Sequence, residues 1–237
     1  MFKKSKKQTK KNQLAALKRQ AEQGDAIAQF KLGLMYVNGE GVPQDYKKAR
    51  QWWEKSAAQG DSEPQFLLGV LYAFGLDVPQ DYVKARQWYE QAAAQGHAQA
   101  QFKLGVLYVN GEGVPLGYAK ARQWWEKSAA QGDSDAQYQL GWLYAKGLGV
   151  PQSYVKARYW WEKANQGHDD AQYQLGVLYA NGQGVPQSYA NARQWYEKAA
   201  AEGHAEAQEA LGMMYANGEG VPQDYVKARC WYEKAAA

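Results

Sequence analysis

The chain has 237 residues, of which 46% are hydrophobic and 22% are charged, and its formal net charge is +4 at pH 7. Six lysines and no acid fall within residues 1–11, so the other residues together carry 4 − 6 = −2. This balance argues against a basic protein that binds nucleic acid through its phosphates. Cys230 is the only cysteine, which excludes an internal disulfide and suits a reducing compartment.

The N-terminal stretch MFKKSKKQTKK is the most basic part of the chain. It does not resemble the start of a signal peptide, because the residues that follow form an amphipathic pattern and not an apolar run. We therefore predict a solvated, disordered tail over residues 1–11, the alternative being a polybasic contact with a membrane or nucleic acid. No apolar run approaches the roughly 20 residues of a membrane span. Together these features predict a cytoplasmic protein.

An internal repeat organises the chain from Asp25 onward. The dipeptide Leu-Gly returns every 36 residues, with one interval of 35, at Leu32, Leu68, Leu104, Leu140, Leu175 and Leu211. Self-similarity at this period is the signature of a solenoid of stacked repeats. We divide the chain into six units, at residues 25–60, 61–96, 97–132, 133–167, 168–203 and 204–237. Residues 12–24 match the second half of a unit and are largely polar, which predicts an N-terminal capping helix.

Each unit is predicted to form two helices joined by a tight loop. The first helix covers positions 1 to 14 of the unit, with Asp or His as its N-cap. Gly at position 15, such as Gly111, supplies the left-handed residue that ends this helix. A Val-Pro dipeptide, then Asp or Ser before Tyr, marks the start of the second helix. Asp77 replaces the second loop glycine, which is acceptable because Asp also visits the left-handed region.

The residues that differ among units fall on one side of the first helix. On a helical wheel, positions 4, 5, 8, 9, 11 and 12 hardly change and share one arc, whereas positions 3, 6, 7, 10, 13 and 14 vary and share the opposite arc. Gly at position 9 allows the aromatic residues of the second helix to approach closely. Each unit is therefore predicted to have a fixed packing surface and a free surface. We expect Trp160 to lie on the packing side.

The repeated pattern LGxLYxxGxGVPQxYxKAxxWYEKAAxQG resembles the Sel-one-like repeat (SLR), a relative of the tetratricopeptide repeat, over residues 25–237. The resemblance implies an all-α fold, a right-handed α-solenoid of six helix-turn-helix repeats whose first helices line a concave groove. It also implies a non-catalytic scaffold or adaptor for protein–protein interaction, typically bacterial. Many bacterial members are exported, so a periplasmic or secreted location is the alternative to a cytoplasmic one.

The same resemblance places the partner-binding groove on positions 3, 6, 10, 13 and 14, which agrees with the variable arc. A peptide or protein segment bound there would contact Phe30, Leu34, Asn38, Phe66, Val70, Phe74, Phe102, Val106, Asn110, Tyr138, Trp142, Lys146, Tyr173, Val177, Asn181, Met213 and Asn217. For position 6, packing between neighbouring first helices is an equal alternative. Trp142 and Phe74 are favoured as binding residues because they depart from the other residues at their positions.

One short motif suggests an enzyme. Ser153 and Lys156 fit the S-x-x-K pattern of penicillin-recognising enzymes, and a cysteine-rich branch of the resembled family has been linked to β-lactamase activity. However, Asp45, Asp81 and Asp224 stand in the same place as Ser153 in their units, which indicates a helix cap. The cysteine pairs of that branch are absent. We predict no catalytic residue, no cofactor and no metal site, since the three histidines also stand at helix starts.

Two features of length complete the prediction. The unit at residues 133–167 is one residue short, and we expect its second helix or the turn after it to be trimmed, not its first helix. The last unit has no polar capping helix after it. Its edge, around Met213, Met214, Trp231 and Tyr232, is predicted to be a weak point or a self-association surface.

Overall fold

The computed structural model describes the backbone of residues 2–236 and the side chains of residues 12–236. Within these residues the fold is all-α, as predicted. The helices are α1 (Phe2–Glu22), α2 (Ala26–Asn38), α3 (Tyr46–Ala57), α4 (Ser62–Phe74), α5 (Tyr82–Ala94), α6 (Ala98–Asn110), α7 (Tyr118–Ala129), α8 (Ser134–Lys146), α9 (Tyr154–Ala164), α10 (Asp169–Asn181), α11 (Tyr189–Ala201), α12 (Ala205–Asn217) and α13 (Tyr225–Ala235).

The first helix begins earlier than predicted. We expected a disordered tail over residues 1–11 and a capping helix from Asn12, whereas α1 begins at Phe2. The physical reason is local: residues 2–11 contain neither Gly nor Pro, and Lys and Gln are good helix formers, so nothing in this stretch stops the helix. The part of the capping helix that packs is Leu14, Leu17 and Ala21, which contact the core of the first repeat.

The chain forms two compact units, at residues 1–116 and 117–237. In the first unit each helix from α1 to α6 packs against the next one along the chain. Its core contains the invariant leucines of the first helices, such as Leu68, together with the aromatic residues Trp53 and Tyr89 of the second helices. This is the nearest-neighbour packing that characterises repeat proteins.

The second unit, from α7 to α13, repeats this arrangement with its own core. Leu140 and Leu175 are completely buried, and Trp161 and Tyr196 occupy the places that Trp53 and Tyr89 hold in the first unit. Trp161 is only 2% exposed. Its neighbour Trp160, which we expected on the packing side, is half-buried at the border of this core.

A glycine at position 9 lets the two helices of a repeat meet. A Cβ atom placed on Gly33 would lie 2.2 Å from the indole Nε1 of Trp53, and one on Gly141 would lie 2.3 Å from that of Trp161. The two indole groups donate hydrogen bonds to the carbonyl oxygens of Phe30 and Tyr138, at 3.2 Å in each case. The predicted close approach is therefore confirmed in both units.

Buried glutamines join one repeat to the next. The Gln65 side chain donates to the carbonyl oxygen of Ala57, at the end of the preceding helix, at 3.2 Å. Its own amide oxygen accepts a hydrogen bond of 2.8 Å from Gln95. In the second unit, Gln137 donates in the same way to the carbonyl oxygen of Ala129. The same two carbonyl oxygens also accept the backbone N–H groups of Gly60 and Gly132 at 3.0 Å, so the glutamines add a second hydrogen bond that ties each first helix to the end of the preceding helix.

Helix starts use the predicted caps in most repeats. Asp25 Oδ1 accepts the backbone N–H of Ala28 at 2.7 Å, and Asp45 Oδ1 accepts that of Lys48 at 2.9 Å. The hydrogen bond from the Lys48 backbone N–H, together with the Lys48 ammonium nearby, lowers the pKa of the Asp45 carboxyl. His168 differs from the prediction, because it occupies the N-cap place of α10 but its side chain makes no capping hydrogen bond.

The backbone conformations of the loops and the shortening of the 35-residue repeat agree with the sequence predictions. Gly39 ends α2 with φ = 70°, in the left-handed region, and Asp77 adopts φ = 63° where other loops carry glycine. The second helix of the 35-residue repeat, α9, ends at Ala164 and has 11 residues, whereas α3, α5, α7 and α11 have 12 or 13, and the first helix of the same repeat, α8, keeps 13. The trimming of this second helix is therefore confirmed.

Candidate protein-interaction face

The first helices of the first unit expose part of the predicted groove. Phe74 is 66% exposed at the end of α4. Phe66 is only 8% exposed, so its assignment to an accessible groove is wrong. It packs between Tyr89, with ring centroids 5.8 Å apart, and His97, with ring centroids 4.7 Å apart. The half-buried members of the predicted set in this unit are Phe30, Leu34, Val70, Phe102 and Val106, and the exposed ones are Asn38 and Asn110.

The aromatic residue at position 6 stacks on the histidine that begins the next first helix. This holds for Phe66 and His97, and in the second unit Tyr138 lies 4.3 Å from His168, centroid to centroid. Tyr173 and His204 are 4.7 Å apart in the same geometry. Where this stack forms, position 6 joins neighbouring repeats, which is the packing alternative that the sequence left open. Sequence reasoning treated the histidines only as caps and missed their role in stacking.

The second unit contains a cleft between α8 and α10. Its volume is about 520 Å³, and Trp142 and Lys146 of α8 line it together with Val177 and Asn181 of α10. The other lining residues are Tyr138, Ala145, Gln152, Tyr154, Trp161, Gln174, Leu178 and Gln183. Five residues of the predicted groove therefore meet at one concave site: Tyr138, Trp142, Lys146, Val177 and Asn181.

The cleft combines an apolar wall with free polar groups. Trp142 is half-buried, which leaves one part of its indole open to a ligand, and Lys146 is exposed. Among the residues whose side chains the structure describes, no carboxylate lies within ion-pairing distance of Lys146. A concave apolar site with a few polar groups is the usual form of a binding pocket.

The other predicted residues of the second unit lie on the same side of their helices. Tyr173 is half-buried, Asn181 and Asn217 are exposed, and Met213 is 47% exposed. At the edge of the last repeat Tyr232 is exposed and Trp231 is half-buried, whereas Met214 is buried and does not belong to that edge. Tyr225 and Val226, which we did not single out, are the most exposed apolar residues there.

Acidic residues at the starts of the first helices were also missed as a group. Asp135, Asp170, Glu206 and Glu209 are exposed on α8, α10 and α12. Asp170 and burial together raise the pKa of Tyr138, burial being the larger cause, while burial with Glu206 and Glu209 raises the pKa of Tyr173. Three of these acids lie at position 3 of their repeats and the fourth, Glu209, lies at position 6, so all four fall within the variable arc. A charge count along that arc would have found them.

One cluster has the residue types of a metal site. Ligand atoms of His168, Asp169 and Asp170 lie within 4.8 Å of one another. Asp170 also reaches His204, with Oδ1 3.1 Å from Nε2, so its carboxylate lies between two histidines. His168 and Asp169 are only partly exposed. The closeness of these side chains is also explained by their position, because His168 and His204 begin the first helices of two consecutive repeats, α10 and α12.

The serine of the S-x-x-K motif serves as a helix cap. Ser153 Oγ accepts the backbone N–H of Lys156 at 3.3 Å. The Lys156 ammonium lies over the ring of Tyr144, 5.2 Å from its centroid. Serine and lysine are thus used at the start of α9, as Asp45 and Lys48 are at the start of α3.

Among the described residues, no helix has the length and hydrophobicity that crossing a membrane requires.

Comparison with known proteins identifies the repeat. A model of the Sel1 repeat matches residues 26–61, 65–97, 98–133, 134–168, 169–204 and 205–237. No curated protein shows significant sequence similarity to the chain.

Solved structures share both the fold and much of the sequence. A protective antigen of uropathogenic Escherichia coli strains that displays an SLR fold is 40% identical, with a TM-score of 0.91 over 94% of this chain and 48% of its own. A Sel1 repeat protein from Oxalobacter formigenes is 41% identical, with a TM-score of 0.82 over 93% of this chain and 64% of its own. An immunity protein from Pseudomonas aeruginosa, at 20% identity and a TM-score of 0.51, covers 89% of this chain and 81% of its own, and shows the fold alone.

This chain therefore spans about half the length of the E. coli protein and 64% of the O. formigenes protein. The helix-turn-helix repeats and these likenesses confirm the predicted helical solenoid class. Sel1 repeat proteins generally act as scaffolds for protein interaction and are generally non-catalytic. With six matches that together cover most of its residues, the chain belongs to the Sel1 repeat family.

Proposed function

We propose that this protein is a non-catalytic scaffold that binds a segment of a partner protein on the exposed side of its first helices, with the cleft beside Trp142 as the principal anchor site. The observation that carries the proposal is that five of the predicted groove residues line one cleft of about 520 Å³. Large aromatic residues in such clefts commonly contribute 2 kcal/mol or more to protein binding.

The test begins with short peptides, because the partner is not known. Binders would be selected from a random dodecapeptide phage library on the full chain, and their dissociation constants measured by fluorescence anisotropy. Trp142→Ala is expected to weaken the selected peptides by about tenfold or more, which corresponds to 1.4 kcal/mol or more. Its melting temperature should stay close to that of the wild type, because the indole is only half-buried.

The control distinguishes a binding residue from a core residue. Trp161 lies behind the same cleft but is buried, and it donates a hydrogen bond to the carbonyl oxygen of Tyr138. Trp161→Ala should therefore lower the melting temperature strongly. If Trp142→Ala lowers stability as much as Trp161→Ala, or if the selected peptides bind Trp142→Ala as tightly as the wild type, the proposed function is wrong.

A further inference from the structure

The cleft beside Trp142 lies on a helix face whose charge changes sign along its length. Asp135, in the first turn of α8, and Lys146, in its last turn, are 11 residues apart, which is about 17 Å at 1.5 Å per residue. At 100° per residue, Trp142 and Lys146 both fall within about 20° of Asp135 around the helix axis. An acid, an indole and a cation therefore follow one another along a single line of α8.

The negative end of this line is reinforced by the next two first helices. Asp170 lies in the first turn of α10, and Glu206 and Glu209 lie on α12. For three of these acids the nearby basic side chains are histidines, since Asp135 lies 3.7 Å from His168, and Asp170 and Glu206 lie 3.1 and 3.3 Å from His204. Among the residues whose side chains the structure describes, no lysine or arginine pairs with these four acids.

Two of the acids, Asp135 and Asp170, lie beside a histidine that stacks on a residue of the cleft. Tyr138 lines the cleft, and its ring stacks on His168 with centroids 4.3 Å apart. His168 in turn lies between Asp135 and Asp170, at 3.7 and 3.8 Å. A ligand whose apolar group contacts Trp142 and Tyr138 would therefore have carboxylates beside one end and Lys146 beside the other.

Helix dipoles explain part of this arrangement, because acids near an N-terminus and lysines near a C-terminus each stabilise a helix by about 0.3–1 kcal/mol. They do not explain why the first unit differs. At positions 3 and 6, where the second unit has these four acids, the first helices of the first unit have one acid, Glu63, and at the adjacent position 7 they have two lysines, Lys31 and Lys103. The first unit thus adopts the same fold without such a group of acids. The group Asp135, Asp170, Glu206 and Glu209 belongs to the unit that contains the cleft.

We propose that the cleft binds an extended protein segment that carries Lys or Arg at one end, a large apolar side chain in the middle and a carboxylate at the other end. The basic end lies beside Asp135 and Asp170, the apolar side chain lies on Trp142, and the carboxylate contacts Lys146. At about 3.3 Å per residue, the 17 Å between Asp135 and Lys146 corresponds to roughly five residues of extended chain. This assignment rests on the proposed function, since it specifies the ligand of the same cleft.

The experiment uses the same random dodecapeptide library, with the selected peptides divided by whether Trp142→Ala weakens them. Peptides that depend on Trp142 are expected to be enriched in Lys or Arg about three to five residues from an acidic residue, with a large apolar residue between them. A set that depends on Trp142 but shows no such order of charges overturns the inference and leaves the proposed function intact. If no peptide depends on Trp142, the proposed function fails first.

Three variants then test the charges one at a time. Asp135→Asn and Lys146→Gln should each weaken a selected peptide about two- to fivefold, the range expected for exposed ion pairs, and less so at high salt. Glu63→Gln is the matched control, because Glu63 also lies beside a histidine at a helix start but belongs to the first unit. Its binding should equal that of the wild type. Equal affinity for Asp135→Asn, Lys146→Gln and the wild type would overturn the inference.

The carboxylate has two possible sources, a side chain or the C-terminus of the bound segment. Each selected peptide would be measured with a free and with an amidated C-terminus. If amidation weakens binding to the wild type and not to Lys146→Gln, Lys146 contacts a terminal carboxylate. If amidation has no effect while replacement of the acidic residue by its amide does, Lys146 contacts a side chain. If neither change depends on Lys146, the assignment of the carboxylate end is wrong.

Discussion

The first helices of the two units pack in the same way and expose different chemistry. On their packing side, Gly33 with Trp53 in the first unit is matched by Gly141 with Trp161 in the second. The distances from a Cβ placed on the glycine to the nearest indole atoms agree within about 0.1 Å between the two pairs. On the free side, the first unit exposes Phe74, and the second has the cleft of Trp142 with the acids Asp135 and Asp170 near one end of it. The comparison shows that a repeat can keep its interior constant and leave one arc of its first helix free to specialise.

The largest expected effect tests whether the two interiors are equivalent. Trp53→Ala and Trp161→Ala should each lower the free energy of unfolding by about 3–5 kcal/mol, because each removes a buried indole and leaves a cavity. Urea unfolding followed by circular dichroism measures this. A much smaller loss for one of the two variants would break the equivalence and show that its unit relaxes around the cavity.

A second pair of variants tests the close approach. Gly33→Ala and Gly141→Ala should each cost about 1–3 kcal/mol, since the new Cβ would overlap the indole of Trp53 or Trp161. The helix propensity of alanine offsets part of the loss, by about 1 kcal/mol at most. The same urea experiment measures both variants. If either is as stable as the wild type, the indole in that unit moves aside more freely than its packing indicates.

Alkaline pH provides a third comparison. Burial raises the pKa of Tyr89 in the first unit and of Tyr196 in the second, in each case as the main cause. The stabilising effect of a neutral buried phenol is complete below about pH 10, where tyrosine ionises in an unfolded chain. Above that pH the unfolded state loses the proton and the native state keeps it, so stability falls by about 1.4 kcal/mol per pH unit for each tyrosine.

Urea unfolding between pH 9 and 11 would measure that decrease. Tyr89→Phe and Tyr196→Phe should each make it shallower by a similar amount. Tyr225→Phe is the control, because the Tyr225 ring is largely exposed. An unchanged slope in Tyr89→Phe would contradict the interpretation for the first unit.

The smallest expected effect separates two histidines of the second unit. His204 Nδ1 accepts the backbone N–H of Ala207 at 3.2 Å, whereas His168 makes no capping hydrogen bond. Both rings stack on a tyrosine, so His204→Ala and His168→Ala lose similar ring contacts. His204→Ala should cost about 1 kcal/mol more, the usual value of an N-cap. His204→Asn, which keeps an acceptor, should recover most of that difference in thermal unfolding.

The repeat made most of the fold predictable, because residues that recur at every period report packing directly. The helix starts at Asp25 and Asp45, the left-handed Asp77 and the trimmed α9 all follow from local chemistry that the sequence displays. Where the groove prediction was wrong, a contact between neighbouring elements decided the outcome. Phe66 is buried because His97 of the next repeat covers it, and no feature of its own helix shows this.

The candidate site was predictable as a face but not as a cleft. The variable arc pointed to Trp142 and Lys146, since these residues depart from the other residues at their positions. That they enclose a space with Val177 and Asn181 depends on how α8 and α10 lie against each other. Similarly, we expected Trp160 on the packing side, whereas its neighbour Trp161 is the buried residue, at 2% exposure, and Trp160 lies at the border of the core.

The glutamine bonds between repeats have a consequence for how such a chain can change length. Gln65 reaches the end of α3 and Gln137 reaches the end of α7 through the same pair of atoms, at 3.2 Å in both cases. A duplication or deletion of one whole 36-residue period therefore joins a helix end to a glutamine that already fits it. Gene rearrangements that preserve the period would be tolerated far more often than those that add or remove a few residues, so lineages could gain or lose binding surface in whole steps.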